Sequence, residues 1–122
     1  MTNILNWFEI PVTNMERALQ FYETVLSIKF KRQQTLGYDM ALFPTETNMV
    51  TGALICGEGY KPTVHGSLIY LNANPDLNIT LSKVENNGGQ VLVSKTLIDA
   101  QSGYFAFILD TEGNKVALHS NQ

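Results

Sequence analysis

The chain has a single cysteine, Cys56, in 122 residues. One thiol makes no intramolecular disulfide and cannot build a thiolate metal site alone. Long hydrophobic runs are absent too: no stretch approaches the roughly 20 apolar residues of a membrane-spanning helix. Met1 to Asn6 offers neither a basic start nor an apolar run of signal-peptide length, so no secretory signal is expected. Positive charge is scarce. Eight Lys and Arg stand against eleven Asp and Glu, a net charge of −3, which excludes the clustered basic surface that nucleic acid requires. The one basic run, Lys29-Phe30-Lys31-Arg32, is broken by Phe30 and reads as a solvated strand edge. Gly57-Glu58-Gly59 lacks the strand-turn-helix setting of a phosphate-binding loop. A cytoplasmic protein with no nucleic-acid or membrane partner is the expectation.

What is present points to a folded core. Hydrophobic residues make up 44% and charged residues 16% of the chain, a globular balance. The length suits one domain, residues 1–122, large enough to bury a core without staples.

The periodicities place the elements. Ile4 to Val12 has strand composition, closed by Pro11. Asn14 is an N-cap candidate. Met15, Ala18, Leu19, Tyr22, Val25 and Leu26 then form one helical stripe, flanked by Phe21, and Ser27 ends the helix. Ile28 to Gln34, Tyr38 to Phe43 and Met49 to Cys56 read as three strands, separated by the Leu36-Gly37 turn and a loop at Pro44 to Asn48. Gly52 marks a bulge or a close approach. After a turn-rich connector at 57–64, the order repeats. Gly66 to Ala73 is a strand, and Asn74-Pro75-Asp76 starts a helix with Pro75 near its first position. That helix carries Leu77, Leu81 and Val84, and Asn87-Gly88-Gly89 stops it. Gln90 to Lys95, Gly103 to Asp110 and Lys115 to Ser120 complete the strands. Modules 1–56 and 65–122 therefore share one plan. Pro44 to Val50 also resembles Asp110 to Val116, as a duplication predicts.

With these motifs in place, the chain resembles the vicinal oxygen chelate superfamily, which includes glyoxalase, bleomycin-resistance and extradiol dioxygenase proteins. The resemblance spans nearly the whole chain. It rests on the doubled strand-helix-strand-strand-strand order, on Val12-Thr13-Asn14-Met15-Glu16-Arg17-Ala18 with Phe21-Tyr22, on Glu85-Asn86-Asn87-Gly88-Gly89, and on Asp110-Thr111-Glu112-Gly113-Asn114. It implies an α+β fold of two repeated βαβββ modules, curled into a cupped mixed sheet with helices outside. It also implies a divalent metal in the cup, held by His, Gln or Glu from the first and last strand of each module.

Carried over position by position, those ligand sites fall on Trp7, Thr51, Leu68 and Ala117. Trp, Leu and Ala offer no donor and Thr a poor one, whereas such ions need imidazole or oxygen ligands. No metal and no other cofactor is therefore expected. Strand alternation sends Trp7, Glu9, Leu68, Tyr70, Ala117 and His119 into the cup, and Phe8, Ile10, Val116 and Leu118 toward the helices. One face of the strand bearing Tyr104, Phe105 and Phe107 lines the cup as well. Trp7, Leu68 and Ala117 become ligand-binding candidates, and Glu9, Tyr70 and His119 candidates for proton transfer or charge stabilisation. Each polar member has a bland reading beside this one: a solvated carboxylate, a wall tyrosine, a surface imidazole. Tyr60 and Lys61, in the connector, are placed to cover the cup mouth. His65 is expected to be exposed, and Cys56 to be a small buried apolar residue.

Three functions remain open. One is metal-independent binding of a small, partly hydrophobic molecule, as in the bleomycin-resistance branch. Another is a lyase or isomerase with Glu9 as general base and Tyr70 or His119 holding developing charge. The third is a metal-dependent lyase or dioxygenase with atypical ligands such as Glu9 and His119. A homodimer is expected in each case.

Overall fold

The computed structural model of the chain describes residues 3–46 and 49–122. Thr47 and Asn48 of the predicted loop, and Met1 and Thr2 of the predicted opening, lie outside the described residues. The elements run β1 (Trp7–Pro11), α1 (Met15–Leu26), β2 (Lys31–Thr35), β3 (Tyr38–Leu42), β4 (Thr51–Cys56), β5 (Tyr70–Asn72), α2 (Leu77–Val84), β6 (Gln90–Asp99), β7 (Gly103–Leu109) and β8 (Lys115–Ser120). A single 3₁₀ turn, Glu85–Asn87, follows α2. Strands β1-β4-β3-β2 make one mixed four-stranded sheet and β5-β8-β7-β6 the other. The βαβββ plan expected from the sequence is thus present twice. In each sheet the outer pair, β1–β4 or β5–β8, is parallel and the rest are antiparallel. The strands form two separate ladders rather than one continuous sheet.

Several boundaries differ from the sequence reading, each because a ladder needs a partner. Ile4 to Asn6 is not strand: β4 begins at Thr51 opposite Trp7, and Ile4 is 90% exposed. Ile28 to Phe30 stays outside β2 because Glu23 captures it. The Ile28 N–H donates to the Glu23 carbonyl and the Phe30 N–H to the Glu23 carboxylate. β5 is short, matching only Ala117 to His119. β6 runs on to Asp99 because β7 pairs with it across three register shifts. At α2 the cap is Asp76, whose carboxylate accepts from the Asn78 N–H, so Pro75 precedes the helix rather than opening it.

The helix caps and core follow from local chemistry. Asn14 caps α1 by accepting from the Arg17 N–H, and Ser27 ends it in the left-handed region at φ 55°. One core joins both modules through α1, α2 and the inner faces of the two sheets. Phe21, expected only to flank the stripe, is fully buried. It faces the second module, where a Cβ on Gly89 would come within 2.7 Å of its ring. Gly52 is the close approach foreseen: a Cβ there would meet the Phe8 carbonyl oxygen at 2.2 Å.

The tight turn between β7 and β8 ties the modules together. Asp110, buried, takes the N–H groups of Glu112, Gly113 and Asn114 on Oδ1 and the Tyr22 hydroxyl on Oδ2, the last at 2.6 Å. Glu112 reaches α1, accepting from the backbone of Thr13 (2.9 Å) and Asn14 (2.8 Å) and from Arg17 Nε (2.7 Å). The carboxylate therefore sits at a helix N-terminus with an arginine beside it, an arrangement favoured by both the dipole and the ion pair.

Burial alone would raise the Glu112 pKa, but the Arg17 hydrogen bond and the Asn14 and Thr13 N–H groups outweigh it and lower it to about 2. A depressed carboxylate contributes stability that is complete above its unfolded value and is lost as pH falls through the folded one. Unfolding midpoints should therefore drop between pH 4.5 and 2. In Glu112→Gln, urea titration should show a loss of about 1–3 kcal/mol at pH 7 and a flatter acid limb.

Candidate functional site

The alternation argument places the candidate residues on the sheet faces turned away from the helices. In β1, Ile10 is buried in the core and Phe8 packs against it, so Trp7 and Glu9 lie on the opposite, open face. In β8, Val116 and Leu118 are in the core, and Lys115, Ala117 and His119 lie on the open face. Trp7 and Glu9 thus belong to the first sheet, and Tyr70, Ala117 and His119 to the second. Leu68 precedes β5 and is half-buried. Among the described residues, no hydrogen bond within the chain joins Glu9 to Tyr70 or His119; Glu9 and His119 are bonded elsewhere, and Tyr70 makes a ring contact.

Glu9 is held by two donors on its own side. The Tyr60 hydroxyl donates to Oε1 at 2.9 Å and the Trp7 indole N–H to Oε2 at 3.3 Å. Tyr60 comes from the connector. Its ring packs edge-on against Tyr38 and on the second apolar cluster, Met40, Ala53 and Ile55. The connector tyrosine therefore lies over the open face of the first sheet. Lys61 is exposed, as is His65. The Cys56 thiol is half-buried and points at the Thr13 carbonyl, 3.8 Å away.

The second sheet carries an aromatic group. Tyr70 and Phe107 flank Ala117 from either side, by register. Their rings meet edge-on at 6.4 Å, and Phe105 adjoins Phe107 at 5.1 Å. The parity left open in β7 is now fixed: Phe105 and Phe107 are on the open face, while Ala106 and Ile108 are in the core. Ala117 is fully buried beneath these rings, whereas Tyr70 is 52% exposed. The Lys115 ammonium sits 4.5 Å over the Phe107 ring. His119 donates from Nε2 to the Ser102 carbonyl at 2.6 Å, which orients its imidazole at the far end of the strand. A cleft of about 240 Å³ opens between β1 and the start of β5 and β8, with Glu9 and Lys115 in its wall. Sequence reasoning missed Lys115 and the Tyr60–Glu9 bond. Alternation carried two residues back from Ala117 would have found the lysine. The tyrosine depends on how the connector folds and left no local signal.

The ladders also correct one internal match. Val12 donates to the Ile55 carbonyl, and Ala73 to the His119 carbonyl. Val12 and Ala73 are therefore equivalent, as expected, but Ala117 corresponds to Ala53 and Thr51 to Lys115. The turn before β4 is longer than the turn before β8, so matching the turns slips the strands by two. With either match, the positions are Trp7, Leu68, Thr51, Ala53, Ala117 and Lys115. None is an imidazole or a carboxylate, and among the described residues no three His, Cys, Asp or Glu side chains cluster to hold an ion. These residues do not fit a family-type metal.

Paired βαβββ modules with open outer faces define a recognised class. The model for the glyoxalase, bleomycin resistance protein and dioxygenase superfamily matches residues 4–118, and the chain belongs to that superfamily. A glyoxylase-like domain-containing protein of Didymella fabae is 30% identical over 119 residues, covering 93% of this chain and 91% of its own. Among solved structures, a glyoxylase/bleomycin resistance protein/dioxygenase domain from Frankia sp. EAN1pec superposes with a TM-score of 0.74 at 11% identity, covering 100% of this chain and 99% of that one. A glyoxalase I variant from Zea mays gives 0.70 at 20% identity, covering 96% of this chain but only 46% of its own. The chain thus spans about half of the maize protein.

The Tyr60–Glu9 bond has a direct readout. Hydrogen bonding to Glu9, then burial, raises the Tyr60 pKa above its ordinary value. A raised group stabilises the fold below its unfolded pKa and loses that contribution as pH rises through the folded one. In Glu9→Gln, the Tyr60 resonance should titrate at lower pH than in the wild type, followed by ¹³C NMR of the phenol carbon. An unchanged titration would contradict the contact.

Proposed function

We propose that this chain binds a small, partly hydrophobic molecule against its open sheet faces, without the metal used by metal-dependent members of its superfamily. The observation that carries the reading is the exchange of residue types on those faces. Where metal ligands would stand there are Trp7, Leu68, Ala117 and a threonine, alanine or lysine, and beside them Tyr70, Phe105 and Phe107 supply ring surface. Aromatic walls with a few polar groups suit a small-molecule site. The proposal includes a homodimer, in which the open face of one copy meets that of its twin. Trp7, at 41% exposed, and Tyr70, at 52%, leave apolar area for such an arrangement.

A lyase or isomerase would use Glu9 as base. Both of its carboxylate oxygens already accept hydrogen bonds from Tyr60 and Trp7, so the side chain is engaged within the chain rather than presented to a substrate. Binding is the better-supported reading. The metal-dependent alternative with Glu9 and His119 would need donors that these faces do not supply.

Three measurements test the reading. Untagged protein should bind the neutral apolar probe Nile red saturably, with no change after EDTA treatment. Zn²⁺ or Ni²⁺ should not raise the unfolding temperature. Light scattering should give twice the chain mass. Loss of probe binding on chelation, with recovery on adding metal, would refute metal independence.

A further inference from the structure

The contact between the two modules has two ends, and the chain seals one of them. At the sealed end the β7–β8 turn meets the end of β1 and the start of α1. The Asn114 amide donates to the Pro11 carbonyl at 2.7 Å and accepts from the Thr63 N–H at 3.2 Å. Glu112 holds Thr13, Asn14 and Arg17. The duplicated plan puts the β3–β4 turn at the other end, beside the end of β5 and the start of α2. The paired residues Leu42–Ala53 and Phe107–Ala117 give the equivalences. Three residues beyond Leu42 and Phe107, Thr45 stands where Asp110 does. Three residues before Ala53 and Ala117, Val50 stands where Asn114 does. Those positions thus hold neither the carboxylate that closes the turn nor the amide that latches it. A cavity of about 360 Å³ lies there instead, with Leu26, Ile28, Phe43 and Leu71 as apolar wall and Asn72 and Asn74 as polar edge.

That edge is chemically specific. The Ala117 N–H donates to the Ile69 carbonyl and the Ala73 N–H to the His119 carbonyl. In a parallel ladder alternate residues turn their backbone groups to one neighbour. Ile69, Leu71 and Ala73 therefore serve β8, and Asn72 turns its N–H and C=O to the free edge of β5. Its carbonyl is the counterpart of the Pro11 carbonyl, each one residue before the matched pair Val12 and Ala73. No donor among the described residues is bonded to it. The Asn72 side chain is oriented as well. Its Oδ1 accepts from the Asn74 N–H at 2.9 Å and from Asn74 Nδ2 at 2.8 Å. Its own Nδ2 is left without a partner among the described residues. One residue thus offers an acceptor and a donor beside an apolar wall.

We infer that this cavity is a second binding site, apart from the open sheet faces, for a neutral carboxamide on a small apolar body. The carboxamide takes the part that Asn114 plays at the sealed end. Its N–H donates to the Asn72 carbonyl and its oxygen accepts from Asn72 Nδ2, while the body lies against Leu26, Ile28, Phe43 and Leu71. A carboxylate or a ketone has no donor for that carbonyl, so the edge favours the amide over either. The volume falls within the roughly 300–1,000 Å³ of small-molecule sites.

The test is a titration of ¹⁵N-labelled protein with benzamide, acetophenone and benzoate, which share a ring and differ in the polar group. Benzamide should shift the amides of Ile28, Phe43, Leu71 and Asn74 saturably, and leave those of Phe105 and Phe107 in place. It should bind more tightly than the ketone or the acid. Asn72→Ala, at an exposed position, should weaken benzamide about three- to tenfold, the scale of one hydrogen bond. Ile28→Trp, which fills the cavity, should abolish its binding, and the unfolding temperature of each variant reports its folding. Where Ile28→Trp fails to fold, Asn72→Ala decides alone. Acetophenone or benzoate binding as tightly as benzamide, or benzamide unaffected by Asn72→Ala, would overturn the inference. So would shifts confined to β7 and β8, or no shift with any probe; the reading of the open faces is tested separately by Nile red.

Discussion

The fold depends on one turn. Between β7 and β8, Asp110 collects three consecutive N–H groups, and so closes the hairpin without help from elsewhere. Its other oxygen takes the buried Tyr22 hydroxyl from α1. Burial, followed by the nearby Asp110 charge, holds that phenol protonated far above the ordinary range. Asn114 donates to the Pro11 carbonyl at the end of β1 and accepts from the Thr63 N–H of the connector. Glu112 caps the start of α1. Five residues of the second module thereby fix a strand end, a helix start and the connector. Polar groups that would be expensive to bury singly are each satisfied by the others. Among the described residues no buried side-chain nitrogen or oxygen lacks a partner.

This explains why the Asp110-Thr111-Glu112-Gly113-Asn114 motif identified the family while saying nothing about chemistry. Asp at its start accepts, Gly113 adopts φ 103° to let the chain turn back, and Asn114 has both a donor and an acceptor to spend. These are demands of folding, met by the turn itself whatever the open faces bind. Membership of the superfamily therefore carries the fold, and the function has to be read from the side chains on the open faces.

What was legible in the sequence was whatever depends on period. Alternation of two assigned Phe8, Ile10, Val116 and Leu118 to the core, and Trp7 and Glu9 to the other face, before any contact was known. The helical stripe placed Tyr22 inward. Strand ends were less legible, because a strand extends only as far as its neighbour does: β5 is three residues long because it matches only Ala117 to His119. Partners across the chain were not legible at all. Arg17 and Glu112 are 95 residues apart, and Tyr60 and Glu9 are 51 apart. Only the fold brings them into reach.

The two modules also show how one duplicated scaffold can diverge face by face. Glu9 and Tyr70 occupy equivalent places, each three residues before the matched pair Val12 and Ala73. On the first sheet that position is a carboxylate, closed over by a tyrosine from the connector and walled by Met40, Ala53 and Ile55. On the second it is itself a tyrosine, open to solvent, with a lysine and two phenylalanines around it. One face has its negative charge already satisfied by donors in the chain. The other presents rings and an unneutralised cation. The first sheet, with Glu9 satisfied, presents mostly apolar wall, and the second presents Tyr70, Phe105 and Phe107 beside Lys115.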